Sequence, residues 1–170
     1  MPDEPSSGSD ERRRQLDRAR TYLDLEAGRL NDLLLDEAGI AELLRSSRRI
    51  AVIGASSRSW RPVHGVMTYL MAAGYDVVPV SPREKEIEGL RCYPTLIEAV
   101  AETGPVDIVD VFRRPEACPE HAREAVAVGA RCFWLQLGIV SFEAARIAHE
   151  GGLAVVMDRC TKIDHARYVR

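Results

Sequence analysis

Ile50-Ala51-Val52-Ile53-Gly54-Ala55-Ser56-Ser57-Arg58 is the stretch on which the fold turns. A short apolar run that stops at glycine reads as a buried strand. Pro62 then stands at the favoured first position of a helix, with Val63, Val66, Met67, Leu70 and Met71 on one face and Gly74 closing it. Asp76 to Val80 supplies a second strand, stopped by Pro82. The pattern repeats downstream. Gly89 to Pro94 suggests a short edge strand, Thr95 to Glu102 a helix, and Val106 to Phe112 a strand. Pro115 or Pro119 starts a helix ending at Gly129, Arg131 to Leu137 is a strand, Ser141 caps a helix, and Leu153 to Met157 is the last strand. Strand–helix alternation with short loops implies right-handed crossovers and a parallel sheet covered on both faces. The expected architecture is α/β, doubly wound and Rossmann-like, with a mainly parallel sheet.

Upstream, residues 1–11 are rich in Pro, Ser, Gly and acids and read as a disordered tail. Residues 12–47 read as a helical extension, ahead of the domain at 48–170. Leu16, Ala19, Leu23, Leu30 and Leu33 fall at a/d-like spacing, although Glu26 interrupts that seam and Gly28 weakens it. Asp36 is placed to cap a second helix through Ile40, Leu43 and Leu44. With 46% hydrophobic residues in 170 and a net charge of only −3, the chain has enough apolar material for a core. The same balance lacks the basic surplus of a dedicated nucleic-acid binder. No apolar stretch is long enough to span a bilayer, and the polar, acidic N-terminus is unlike a signal peptide. The expected setting is the cytoplasm, with no membrane or nucleic-acid partner. Cys92, Cys118, Cys132 and Cys160 form no C-x-x-C pair, and the four histidines have no ligand spacing, so no metal site is expected.

In a doubly wound sheet, ligands bind outside the carboxyl ends of the strands. The first such loop, Gly54-Ala55-Ser56-Ser57-Arg58, departs from a dinucleotide fingerprint. Ser56 stands where a second glycine would let backbone approach a pyrophosphate, and Ser59 replaces the third. Small residues leading into a helix still suit phosphate, through backbone N–H groups and the helix dipole; a tight turn without a ligand is the plainer alternative. After the second strand come Ser81-Pro82-Arg83, where NAD enzymes place an acid on the ribose. An arginine there favours an extra ribose phosphate, either the 2′-phosphate of NADP or the 3′-phosphate of coenzyme A. A merely solvated arginine is the competing reading.

Several stretches carry a family resemblance. Val52-Ile53-Gly54-Ala55-Ser56, Gly74-Tyr75-x-Val77-x-Pro79-Val80-x-Pro82 and Val106 to Arg114, with Trp134 to Ile139 and Val156 to Ile163, together resemble the small stand-alone CoA-binding proteins. These are similar to the nucleotide domain of the succinyl-CoA synthetase alpha subunit. The likeness spans about residues 35–168. One departure is Ser81, where the family commonly has Asn. The resemblance implies coenzyme A or an acyl-CoA as ligand. It places phosphates at Gly54, Ala55, Ser56 and Arg58 with Ser57 in the same loop, the adenosine end beside Ser81, Pro82 and Arg83, and the adenine or pantetheine arm beside Phe112, Arg113 and Arg114. The phosphate-carrying histidine of the synthetase has no counterpart between Gly138 and Ser141.

No catalytic constellation is recognisable. Asp107 and Asp110 have odd spacing and point to opposite faces of their strand. Cys160 lies near Arg159, Lys162 and His165, a basic setting that lowers a thiol pKa, against which stands the ordinary role of a small half-buried residue. Trp60 and Trp134 read as packing residues. The expected function is therefore coenzyme A binding without an assignable reaction. The rivals are an NADP-dependent oxidoreductase, and a regulatory module whose N-terminal helix recruits a protein partner. The Leu16, Leu23 and Leu30 repeat offers a stripe for a second copy or for the chain's own core, because a lone helix of this length is marginal in water. Light scattering on the full chain and on a chain starting at Asp36 separates these; a dimeric mass that falls to monomeric on truncation supports self-association, and identical monomeric masses contradict it.

Overall fold

The computed structural model describes residues 7–26 and 32–169. Strands β1 (Arg49–Ile53), β2 (Asp76–Val80), β5 (Ile108–Val111), β6 (Cys132–Leu135) and β7 (Ala154–Val156) form one parallel sheet, in the order β2-β1-β5-β6-β7. Val77 pairs with Ile50, Ile108 with both Ile50 and Cys132, and Ala154 with Cys132, so the strand starts are aligned. A short hairpin, β3 (Glu86–Ile87) with β4 (Leu90–Arg91), stands beside the sheet.

Side-chain alternation along the strands divides the core in two. Ile50, Val52, Val77, Ile108, Cys132, Trp134 and Val156 pack against α2 (Glu37–Ser46) and α3 (Pro62–Ala72), with the end of α7 (Thr161–Tyr168) at the margin. Ala51, Ile53, Val78, Val80, Val109, Val111, Phe133, Leu135 and Val155 pack against α4 (Leu96–Thr103), α5 (Cys118–Ala127) and α6 (Phe142–Glu150). Both faces are covered, which is why the central strands are apolar almost without interruption.

The helix starts follow the expected chemistry. Asp36 accepts a hydrogen bond from Gly39 N–H at 2.7 Å, Thr95 from Glu98 N–H and Ser141 from Ala144 N–H, each at 3.2 Å, and Pro62 opens α3. Both candidate prolines of the fifth helix are used, Pro115 opening a 3-10 turn and Pro119 lying in the first turn of α5.

Several boundaries differ from expectation. The edge strand expected over 89–94 is divided between β4 and Tyr93. Only Tyr93 joins the main sheet, through Ser81 N–H to Tyr93 O at 2.8 Å and Tyr93 N–H to Pro79 O at 3.0 Å. Pro94 has no N–H to extend that pairing. With Tyr93 counted, the parallel elements follow the order 3-2-1-4-5-6 of dinucleotide-binding sheets. Helix α7 was not evident from sequence, because its buried residues are Thr161 and Asp164 rather than an aliphatic stripe.

The chain divides into two units, one up to Asp32 and one from Leu33 onward. Helix α2 is thus a layer of the domain and not part of an extension, because Ile40 and Leu44 are buried with Ile50 and Val52. Helix α1 (Ser7–Glu26) begins inside the stretch read as a disordered tail; no proline follows Pro5 until Pro62 to break it. Leu16 and Leu23 are exposed on α1, and Leu33 leaves the expected seam to pack on the sheet domain. Leu30 and residues 1–6 lie outside the described residues.

At the centre of the sheet Gly54 has φ +81°, and a β-carbon there would overlap the carbonyl oxygen of Phe112 and lie 3.2 Å from Arg113 Cδ. Gly54→Ala is expected to destabilise the domain by about 1–3 kcal/mol, from the left-handed backbone alone. Urea denaturation measures it; an unchanged midpoint would contradict this close approach.

Candidate functional site

The strand order reverses between β1 and β5, whose crossovers leave toward opposite faces of the sheet. This is the switch-point geometry that opens a crevice at the carboxyl ends of strands. Phe112 N–H donates to Ile53 O at 2.9 Å, so the loop after β5 begins in register with the end of β1. Gly54 N–H and Ala55 N–H both donate to Val80 O, at 3.0 and 3.2 Å. These bonds bring the ends of β1, β2 and β5 together, and with them Gly54, Ala55, Ser81, Phe112 and Arg113.

The loop amides do not all face outward as a phosphate cradle. Those of Gly54 and Ala55 are engaged by Val80, and Arg58 N–H donates to the buried Ser56 Oγ at 3.2 Å. Gly54 thus spends its N–H on Val80 and contributes close approach to the Phe112 carbonyl. Ser57 and Arg58 are exposed, and the Arg58 guanidinium lies 5.7 Å from the centroid of the Trp60 ring. Ser81 is buried and accepts from Arg83 N–H at 3.3 Å, while Pro82 and Arg83 are exposed. Phe112 is half-buried; Arg113 and Arg114 are exposed, and the Arg114 carbonyl accepts from Cys118 Sγ at 3.3 Å. Arg58, Arg83, Arg113 and Arg114 give these loops a basic character suited to a polyanion.

Sequence reasoning missed or misjudged several groups here. Glu84 reaches back from the β2 loop, and both its carboxylate oxygens lie within hydrogen-bond distance of Ser57 N–H, at 3.2 and 3.0 Å. The first acid after the second strand, one residue beyond Arg83, is thus turned toward the first loop. Trp60 was expected to be packed, but it is 76% exposed beside the first loop. Trp134 is fully buried as expected, with Nε1 donating to Arg159 O at 2.7 Å.

Cys160 keeps little of its expected basic setting. Asp164 holds the Arg159 guanidinium in two hydrogen bonds of 2.7 and 2.8 Å. Lys162 lies over the Tyr69 ring, and His165 Nδ1 pairs with Tyr69 OH at 2.9 Å. Burial lowers the His165 pKa, which disfavours its charged form. These groups are committed to seating α7. Among the described residues, no group of three or more His, Cys, Asp and Glu is arranged to hold a metal ion, and no helix is long and apolar enough to cross a membrane.

A closed polar network lies beneath the crevice. Gln136 Nε2 donates to Asp110 Oδ1 at 2.8 Å and to Thr161 Oγ1 at 2.7 Å, and Thr161 Oγ1 donates to Asp110 Oδ2 at 2.9 Å. All three residues are buried. They join β5, the end of β6 and the start of α7. Asp107 sits at the other end of β5. Burial raises its pKa, but hydrogen bonds from Arg49 and Arg48 N–H and the Arg131 charge outweigh that and lower it overall.

A family model described as a CoA binding domain matches residues 48–166. The Bacillus subtilis (strain 168) protein YneT is 42% identical over 130 residues, covering 76% of this chain and 94% of that one. A hypothetical protein from Pyrococcus horikoshii OT3 is 34% identical, with a TM-score of 0.75 over 80% of this chain and 94% of that chain. The cell-free ID.343 protein from Thermus thermophilus is 37% identical, with a TM-score of 0.73 over 79% and 99%.

Burial pushes the Asp110 carboxyl up to about 7, against the opposing hydrogen bonds from Gln136 and Thr161. An aspartate in an unfolded chain titrates near 4, at about 3.9. Below that value both states are protonated and the contribution of this group is fully present. As pH rises toward 7 the unfolded chain loses the proton first, and stability falls by up to about 1.4 kcal/mol per pH unit. Asp110→Asn should therefore gain stability relative to wild type between pH 4 and pH 7. Urea midpoints across that range measure it; parallel curves for the two proteins would contradict a buried, near-neutral Asp110.

Proposed function

The chain belongs to the CoA binding domain family, and from that premise we propose that it binds coenzyme A or an acyl-CoA at the switch-point crevice, with no reaction assigned to it. The observation that carries the reading is the meeting of Gly54 with the Phe112 carbonyl and the Arg113 side chain, where two crossovers part. The ligand's pyrophosphate lies along Ser56, Ser57 and Arg58 at the mouth of that crevice, where Gly54 and Ala55 let the chain approach closely. Its adenosine end lies beside Ser81, Pro82 and Arg83, and the half-buried Phe112, with Arg113 and Arg114, lines the adenine or pantetheine arm. A ligand with three phosphate groups suits four arginines contributed by three loops.

Arg83 reads the ribose 3′-phosphate in this arrangement. It is exposed, and it takes part in none of the described ion pairs. A charge-assisted contact to phosphate contributes about 1.5–3 kcal/mol, or roughly ten- to a hundredfold in affinity. Arg83→Ala should weaken coenzyme A by that factor and leave dephospho-CoA nearly unchanged. Calorimetry with both ligands decides it, with NADP as a control that also carries a ribose phosphate. Equal wild-type affinity for coenzyme A and dephospho-CoA would contradict the role of Arg83. Tight NADP binding with none for coenzyme A would overturn the proposed function.

A further inference from the structure

Ser57 lies in the loop proposed to take the ligand's pyrophosphate, and its donors already hold an anion. Its backbone N–H faces both oxygens of the Glu84 carboxylate, at 3.0 and 3.2 Å, and its hydroxyl donates to the same carboxylate. Glu84 arrives from the loop after β2, one residue beyond Arg83, so the contact bridges two walls of the crevice. No cation in the described ion pairs neutralises it. The dipoles that hold this carboxylate are of the kind that phosphate oxygens take in a nucleotide site.

We propose that Glu84 is a resident stand-in for ligand phosphate, a latch that an incoming pyrophosphate must displace from Ser57. This rests on the ligand site proposed above. Two anions cannot share one N–H and one hydroxyl, and like charges this close repel. The ligand therefore trades places with the carboxylate, and the affinity observed is lower than the loop alone would give. The exchange also makes Glu84 a specificity residue. A ligand with phosphate compensates the displaced carboxylate at Ser57, whereas an uncharged nucleoside has nothing to put there and leaves the latch closed.

The test uses the full chain and three probes: coenzyme A, inorganic pyrophosphate and adenosine. Glu84→Ala should bind coenzyme A and pyrophosphate about tenfold more tightly than wild type, with Glu84→Gln between the two and adenosine unchanged. Glu86→Gln makes the same charge change at an exposed position in the neighbouring hairpin and should alter affinity less than twofold. Without any ligand, hydrogen exchange at the Ser57 amide should be faster in Glu84→Ala. Unchanged or weaker binding of both phosphate probes by Glu84→Ala overturns the latch. A gain in Glu86→Gln equal to that in Glu84→Ala also overturns it, in favour of long-range charge. If no variant binds coenzyme A while pyrophosphate still gains in Glu84→Ala, the latch stands and the assignment of coenzyme A falls.

Discussion

The backbone at Gly54 lies so near the Phe112 carbonyl that no side chain fits between them. That one approach sets how the carboxyl ends of β1 and β5 meet, and so where the crevice opens. It requires a glycine for two reasons, the positive φ and the lack of room, and either would suffice. Around it, Val80 O collects two N–H groups from the first loop, and Ile53 O collects Phe112 N–H. The loop positions follow from backbone bonds between strand ends. The arginines are then placed by short tethers to a rigid sheet, which suits recognition of a charged ligand.

Beneath the crevice the interior is polar where a doubly wound sheet is ordinarily aliphatic. Asp110, Gln136 and Thr161 complete one another's hydrogen bonds, and Trp134 donates to Arg159 O just beyond. Asp158, at φ 58°, accepts from Gly138 N–H at 2.6 Å and ties the loops after β6 and β7. Each bond is directional, so together they fix the position of α7 where apolar packing would let it slide. The cost is a carboxyl buried without a cation, which is held in place only while its partners remain satisfied.

Much of this was legible because it rests on local chemistry. Asp36, Thr95 and Ser141 announce helix starts, Pro62 opens a helix, and the aliphatic runs mark strands that must be buried on both faces. What was not legible depends on contacts distant in the chain. Glu84 is 27 residues from Ser57, and nothing in Ser81-Pro82-Arg83-Glu84 says that the fourth residue turns back to the first loop. Helix α7 buries Thr161 and Asp164, so its period carries no apolar signal. Trp60 reads as a packing residue by its type, yet its position two residues after Arg58 keeps it in an exposed loop. Asp110 was placed on the right strand, but its partners come 26 and 51 residues later.

Coenzyme A in the crevice where β1, β2 and β5 end would touch the loops that follow those three strands. Amide NMR of the full chain, titrated with coenzyme A, reads that occupancy residue by residue. The shifts are expected to concentrate at Ser56, Ser57, Arg58, Ser81, Arg83, Phe112, Arg113 and Arg114. Arg48, Asp107 and Arg131, at the amino ends of the strands, should stay in place. Shifts centred on those amino ends, or none at saturating coenzyme A, would contradict it.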